Sequence, residues 1–187
     1  MFKRRLLTLS SLVIVTILAV LLLPLVVVVT LLLSTSPKYR TAPQALTFIY
    51  GFLLFEWGGL TRFAWVLARY PRQEQMEQNR AIQFWWAQGL LDMGQKLYKL
   101  RIEVSGEDAL KGNTALLLSR HSSMGDTALP LLFFGKARRE GLRYVLKQEL
   151  QLLPCLDIGG HRLPNVFVDR TGADSAKAVK DVSDLIA

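Results

Sequence analysis

The chain has 187 residues, of which 51% are hydrophobic, and a formal net charge of +8. That is room for one domain of ordinary size and a membrane segment, and it excludes two full domains. Cys155 is the one cysteine, so an internal disulfide is excluded and the redox compartment cannot be read from thiol usage.

In chain order, "KRR" at 3–5 precedes a stretch from Leu6 to Leu33 without a charged residue. As a helix it would be roughly 40 Å long, more than the ~30 Å hydrocarbon core of a bilayer. It is too long for a signal-peptide core and ends on no Ala-x-Ala site, so an uncleaved anchor over 6–33 is expected, with Pro24 tolerated inside it. The basic residues before it predict an amino terminus on the cytoplasmic side. A polar joint with two prolines, "STSPKYRTAPQ" (34–44), leads to a second apolar and aromatic segment, 45–68, broken by Glu56 and Arg62. Three readings stand for it: a second span, a re-entrant hairpin, or an amphipathic segment in the headgroup layer.

From Arg72 to Tyr98 apolar residues recur near helical spacing (Met76, Ile82, Trp85, Trp86, Leu90, Met93, Leu97), although Gly89 and Gly94 weaken the helix. Beyond it the pattern alternates. "LRIEVSG" (100–106), "TALLLS" (114–119), "LRYVLK" (142–147) and "NVFVDR" (165–170) read as strands. "DTALPLLFFGKARR" (126–139) and "DSAKAVKDVSDLIA" (174–187) read as helices, the last with Asp174 as its cap, and "QELQLLP" (148–154) as a helical turn. Such alternation predicts an α/β domain. The expected organisation is a membrane anchor region over 1–70 and a partial α/β domain over 71–187.

The chemistry-bearing stretch is "SRHSSMGDTALP" (119–130). His121 would follow a buried strand, and Asp126 would start the next helix. The loop between them contains Gly125, which lets the two side chains meet. A neutral imidazole accepts a proton near pH 7, and a carboxylate fixes its tautomer and stabilises the imidazolium. No Gly-x-Ser-x-Gly elbow is present, so Ser122 and Ser123 are poor nucleophile candidates, and His121 is expected to activate a substrate hydroxyl directly. The competing reading is a polar turn in which Asp126 only caps a helix. His161 reads as a loop residue rather than a metal ligand, Cys155 as inert packing, and Glu149 and Asp157 receive no role.

Three ordered segments, "RHSSMGD", "YVLKQELQLLP" and "NVFVDR", resemble the glycerolipid (lysophospholipid) acyltransferase family over about residues 100–170. That family carries a His-x4-Asp motif after a strand, then Lys-x-Glu-Leu…Pro, then Phe-Ile/Val-x-Arg, behind an apolar amino-terminal anchor. The resemblance implies a mixed sheet with flanking helices. It implies His121 as general base, Asp126 as its partner, Arg170 on the acceptor's phosphate, and Lys147 assisting in substrate binding. The implied co-substrates are acyl-CoA or acyl-ACP and a lysophospholipid such as lysophosphatidate, with no metal and no bound cofactor. Membrane lipids rather than nucleic acid are the expected partners of the basic surface, densest at "GKARREGLR" (135–143). The expected location is integral in the inner or cytoplasmic membrane, the domain facing the cytoplasm. Arg120 stands where the family usually has Asn, and Pro164 where it usually has Gly. The family's Pro-Glu-Gly-Thr-Arg motif is not found before Ala187, so a chain truncated ahead of that motif is expected. The alternative is a non-catalytic lipid-binding or scaffold protein that keeps the fold. A lipid hydrolase is weaker still.

Overall fold

The structure is a computed structural model and describes residues 1–106, 116–118, 126, 128–135, 141–169 and 175–186. Three long helices come first: α1 (Phe2–Ser34), α2 (Ala42–Arg69) and α3 (Arg72–Tyr98). A 3-10 turn, Pro37–Tyr39, joins α1 to α2. After a π-helical turn, Leu131–Gly135, come strand β1 (Val145–Lys147), a 3-10 turn (Gln148–Leu152), helix α4 (Pro154–Arg162), strand β2 (Val166–Val168) and helix α5 (Ser175–Ile186).

Helix α1 runs through Pro24 and is long and apolar enough to cross a membrane. Only 6% of its apolar window is buried, unlike the core helix of a soluble fold. Its outward side chains, Leu21 and Leu25 among them, therefore suit a hydrocarbon surrounding. Among the described residues no second helix passes that test. The segment 45–68 instead forms most of α2 and is shared between two neighbours. On one side it pairs antiparallel with α1, where Trp57 Nε1 donates to Thr16 Oγ1 at 2.9 Å and the Tyr50 hydroxyl donates to the Ala19 carbonyl at 2.6 Å. Such bonds satisfy polar groups that apolar surroundings would leave stranded. On the other side lies α3, which carries Arg72, Glu74, Glu77, Arg80, Asp92 and Lys96. A helix so charged does not sit in lipid, so the face of α2 that meets α3 is not a lipid-facing one.

The α2–α3 contact is a row of rings set against glycines. Phe48 meets Tyr98, Phe52 meets Trp86 edge-on at 6.0 Å, and Phe55 meets Trp85 at 5.1 Å. A Cβ on Gly89 would overlap the Phe55 ring, so here glycine serves close approach rather than marking a helix end. Phe63 and Val66 of α2, Ile82 of α3 and Cys155 of α4 bury one apolar cluster. Full burial of such side chains stabilises by about 1.5–3 kcal/mol each. The next face of α3, with Phe84, Ala87 and Leu91 at helical spacing, holds Leu131 and Leu132 of the π-helical turn.

The expected α/β mixed sheet is not what forms. The described residues are 78% helical, and their only ladder is the two-stranded parallel pair β1–β2 in the register Val145↔Val166, Leu146↔Phe167, Lys147↔Val168. Residues 101–106 and 116–118 are described and take no regular structure, and Leu116 and Leu118 are 79% and 88% exposed, not the buried strand the pattern predicts. The reason is that a helix satisfies its own backbone, whereas a strand needs a neighbour to accept and donate its hydrogen bonds. Alternating apolar residues state a face, and do not by themselves supply that neighbour. Among the described residues of the expected strands 142–147 and 165–170, only the three-residue cores that pair with each other are strand.

Candidate active site

Lys147 ends β1, in register with Val168 at the end of β2, so both strands deliver the chain to the same edge. Two further bonds set this register: the Val166 amide donates to the Tyr144 carbonyl, and the Tyr144 amide to Asn165 Oδ1, each under 3 Å. The 3-10 turn that follows brings Glu149 back, and its carboxylate accepts from Lys147 Nζ at 2.9 Å. The ammonium holds the Glu149 carboxyl below its ordinary range, while the charge of Asp169, just past β2, pushes it the other way. Lys147 is thus an exposed cation already shared with one anion at the carboxyl end of a parallel pair, the edge where α/β units commonly bind ligands.

Asp126 is half-buried and engaged in an interaction, and it precedes the turn whose Leu131 and Leu132 lock into α3. Of the other residues singled out in the sequence, His121 and Arg170 lie outside the described residues, as do Ser122, Ser123, Gly125 and Asp174. Lys147 is therefore brought to the strand edge, and Asp126 to the head of an anchored turn. Among the described residues, no group of three His, Cys, Asp or Glu residues converges as a metal site.

Helix α4, which the sequence pattern did not predict as a helix, couples this ladder to the amino-terminal helices. His161 is in its last turn, not in a loop, with its ring stacked on Phe167 of β2 at 4.8 Å. Gly160 lets the helix lie on the ladder, since a Cβ there would meet Phe167 and Leu146. At its other end Glu56 of α2 acts as a cap from a distance: its Oε2 accepts the Cys155 amide at 3.1 Å, and no side chain of the local N-cap, Leu153, does so. Amide donors in the first turn of a helix lack intrahelical partners, and a carboxylate there also complements the dipole. Arg162 Nη1 donates to the Phe63 carbonyl at 2.6 Å, so α4 is fixed to α2 at both ends.

Asp157, with 0% exposure, accepts from Arg4 at 2.7 Å and from Arg5 at 2.8 Å, which ties α4 to the start of α1. His161 Nδ1 stands 3.1 Å from the same carboxylate. Cys155 is buried beside Glu56, and burial, then the Glu56 charge, pushes its thiol up, which leaves it a packing residue rather than a nucleophile. Sequence reading missed Glu56, Asp157 and Arg162 because their partners lie about a hundred residues or more away, where no local spacing signals them.

Residues 101–186 match the model of the Acyltransferase family, a stretch that includes the Lys147 edge, Asp126 and the His121 loop. Over these residues the chain is similar to the acyltransferases. The match is consistent with the glycerolipid acyltransferases, and the activity it supports is acyl transfer. It starts just after α3, so α1, α2 and α3 lie outside it, and within it both α4 and the π-helical turn pack against them. No curated protein and no solved structure matches the chain.

Proposed function

We propose that the protein is a membrane-anchored acyltransferase that moves a fatty acyl group from a thioester, acyl-CoA or acyl-ACP, to the hydroxyl of a lysophospholipid such as lysophosphatidate. The observation that carries this reading is the family match over a segment in which His121 and Asp126 stand in the family's His-x4-Asp order. His121 takes the proton of the acceptor hydroxyl as that oxygen attacks the thioester carbonyl. The tetrahedral intermediate then collapses and expels the thiolate, which receives the proton back from the imidazolium. Asp126 orients the imidazole and stabilises its charge. Arg170 and Lys147 hold the acceptor's phosphate, for which a guanidinium fork and an ammonium are suited donors. Helix α1, whose apolar surface faces outward, supports anchorage at the membrane where the lysophospholipid acceptor resides.

The test is thioester-dependent acylation of lysophosphatidate by the full chain in detergent or vesicles. His121→Ala abolishes it, a loss of about two to four orders of magnitude in kcat. Unchanged turnover in that variant sinks the mechanism. Retained lipid binding without any turnover in the wild type would favour a binding protein instead.

A further inference from the structure

The cations around Asp157 outnumber it. Arg4 and Arg5 near the start of α1 share the buried Asp157 carboxylate, and Arg162 at the end of α4 adds a third guanidinium beside Arg5. Asp157 accepts from Arg4 with Oδ1 and from Arg5 with Oδ2, one nitrogen of each guanidinium. A guanidinium has five N–H donors, so most of them stay unused. Arg4 Nε is buried with no hydrogen-bond partner, while both arginine side chains keep 31% exposure and so open to the surface. Arg162 is held in place by the Phe63 carbonyl and lies over the Phe63 ring. Burial first, and then the charge of Arg5, pulls Arg162 below its ordinary value, so the two guanidiniums feel each other. Like charges that a fold holds together, with donors to spare and an orphaned N–H, are short of an anion.

The cluster immediately precedes Leu6, where the uncharged stretch of α1 begins. Cations at the end of an apolar helix sit at headgroup depth. We propose that Arg4, Arg5 and Arg162 form a receptor for the phosphate of an anionic membrane phospholipid, with Asp157 as the strut that fixes the guanidiniums. The site draws on α1 and α4 and uses neither Lys147 nor Arg170, so it does not rest on the acyl-transfer reading. A lipid bound there would hold α4, and with it the β1–β2 ladder, against the membrane surface.

The experiment is native mass spectrometry of the full chain released from an uncharged detergent, with phosphatidylglycerol, phosphatidylcholine or water-soluble glycerol phosphate added. The wild type is expected to retain phosphatidylglycerol over phosphatidylcholine. Arg162→Gln and Arg4→Gln are each expected to lower that retention about tenfold, the scale of one charge-assisted hydrogen bond. Lys3→Gln, which changes the neighbouring charge outside the receptor, is expected to change it less than twofold. In Arg4→Gln the Arg5–Asp157 pair survives, so this variant carries the test if circular dichroism shows that Arg162→Gln is misfolded. Equal retention of the two lipids overturns the proposal. So does a loss in Lys3→Gln equal to that in the arginine variants, because the attraction is then diffuse surface charge. Arg162-dependent binding of glycerol phosphate, with no preference between lipids, overturns the lipid assignment in favour of a soluble phosphate ester. None of these readouts depends on turnover.

Discussion

Asp157→Asn removes one negative charge while keeping volume and an acceptor oxygen, and it tests whether the carboxylate bolts α4 to α1. The wild-type carboxylate has 0% exposure and accepts two guanidinium bonds at 2.7 and 2.8 Å. Breaking a fully buried ion pair from one side costs about 3–5 kcal/mol. Each arginine side chain keeps 31% exposure, so water can solvate part of what is abandoned, and the expectation falls to about 2–3 kcal/mol. For a chain of this size that corresponds to a drop in Tm of roughly 5–10 °C. Thermal unfolding in one detergent, followed by tryptophan emission, reads it, since Trp57 and Trp86 pack beside the affected helices. A double-mutant cycle with Arg5→Gln should return a coupling of about 1 kcal/mol or more. A Tm within 1 °C of wild type, or a coupling near zero, would refute the role of this charge cluster in joining α4 to α1.

Burial pushes the Glu56 carboxyl up to about 7, against the lowering effect of the Cys155 amide. An acid raised in the folded state gives stability that is present below its unfolded value, near 4.5, and lost as pH rises through about 7. The wild type should therefore lose up to about 3 kcal/mol between pH 4.5 and 8, whereas Glu56→Gln should show a flatter profile in denaturant titrations over that range. Gly89→Leu drives a side chain into the Phe55 ring and should destabilise by about 1–3 kcal/mol by the same measurement, with Gly94→Leu, whose neighbour Phe48 is at ordinary contact distance, milder. At the strand edge, Lys147→Met should raise the KM for lysophosphatidate several-fold, and Glu149→Gln, which frees the ammonium, should lower it about twofold. A shift of KM in the same direction for both variants would remove Lys147 from acceptor binding.

The helices over 2–34 and 72–98 were legible because each carries its signal locally, as an uncharged run or an apolar repeat, and bonds its own backbone, whereas the single helix over 42–69 was one of three readings left open. The resemblance to the acyltransferases over about residues 100–170 was legible for a similar reason, since it rests on the order of motifs in the string. The strand pattern misled at 100–106 and at the described 116–118, where an apolar pattern named a face without naming a partner. Helix α4 was missed because "PCLDIGGHR" is short and holds two adjacent glycines, and its amino-terminal cap arrives from Glu56 on another helix.

The sequence by itself determined where the first and third long helices run, that the first suits a bilayer, and which motif residues to seek. Only the tertiary structure decided that α2 is shared between α1 and a charged α3, that Asp157 is the buried counter-ion of Arg4 and Arg5, and that α4 joins the helices to the ladder. The physical reason is range. Hydrophobic periodicity and helical hydrogen bonds act within a few residues, whereas an ion pair, a trans cap or a strand pairing exists only after folding has brought distant groups to contact distance.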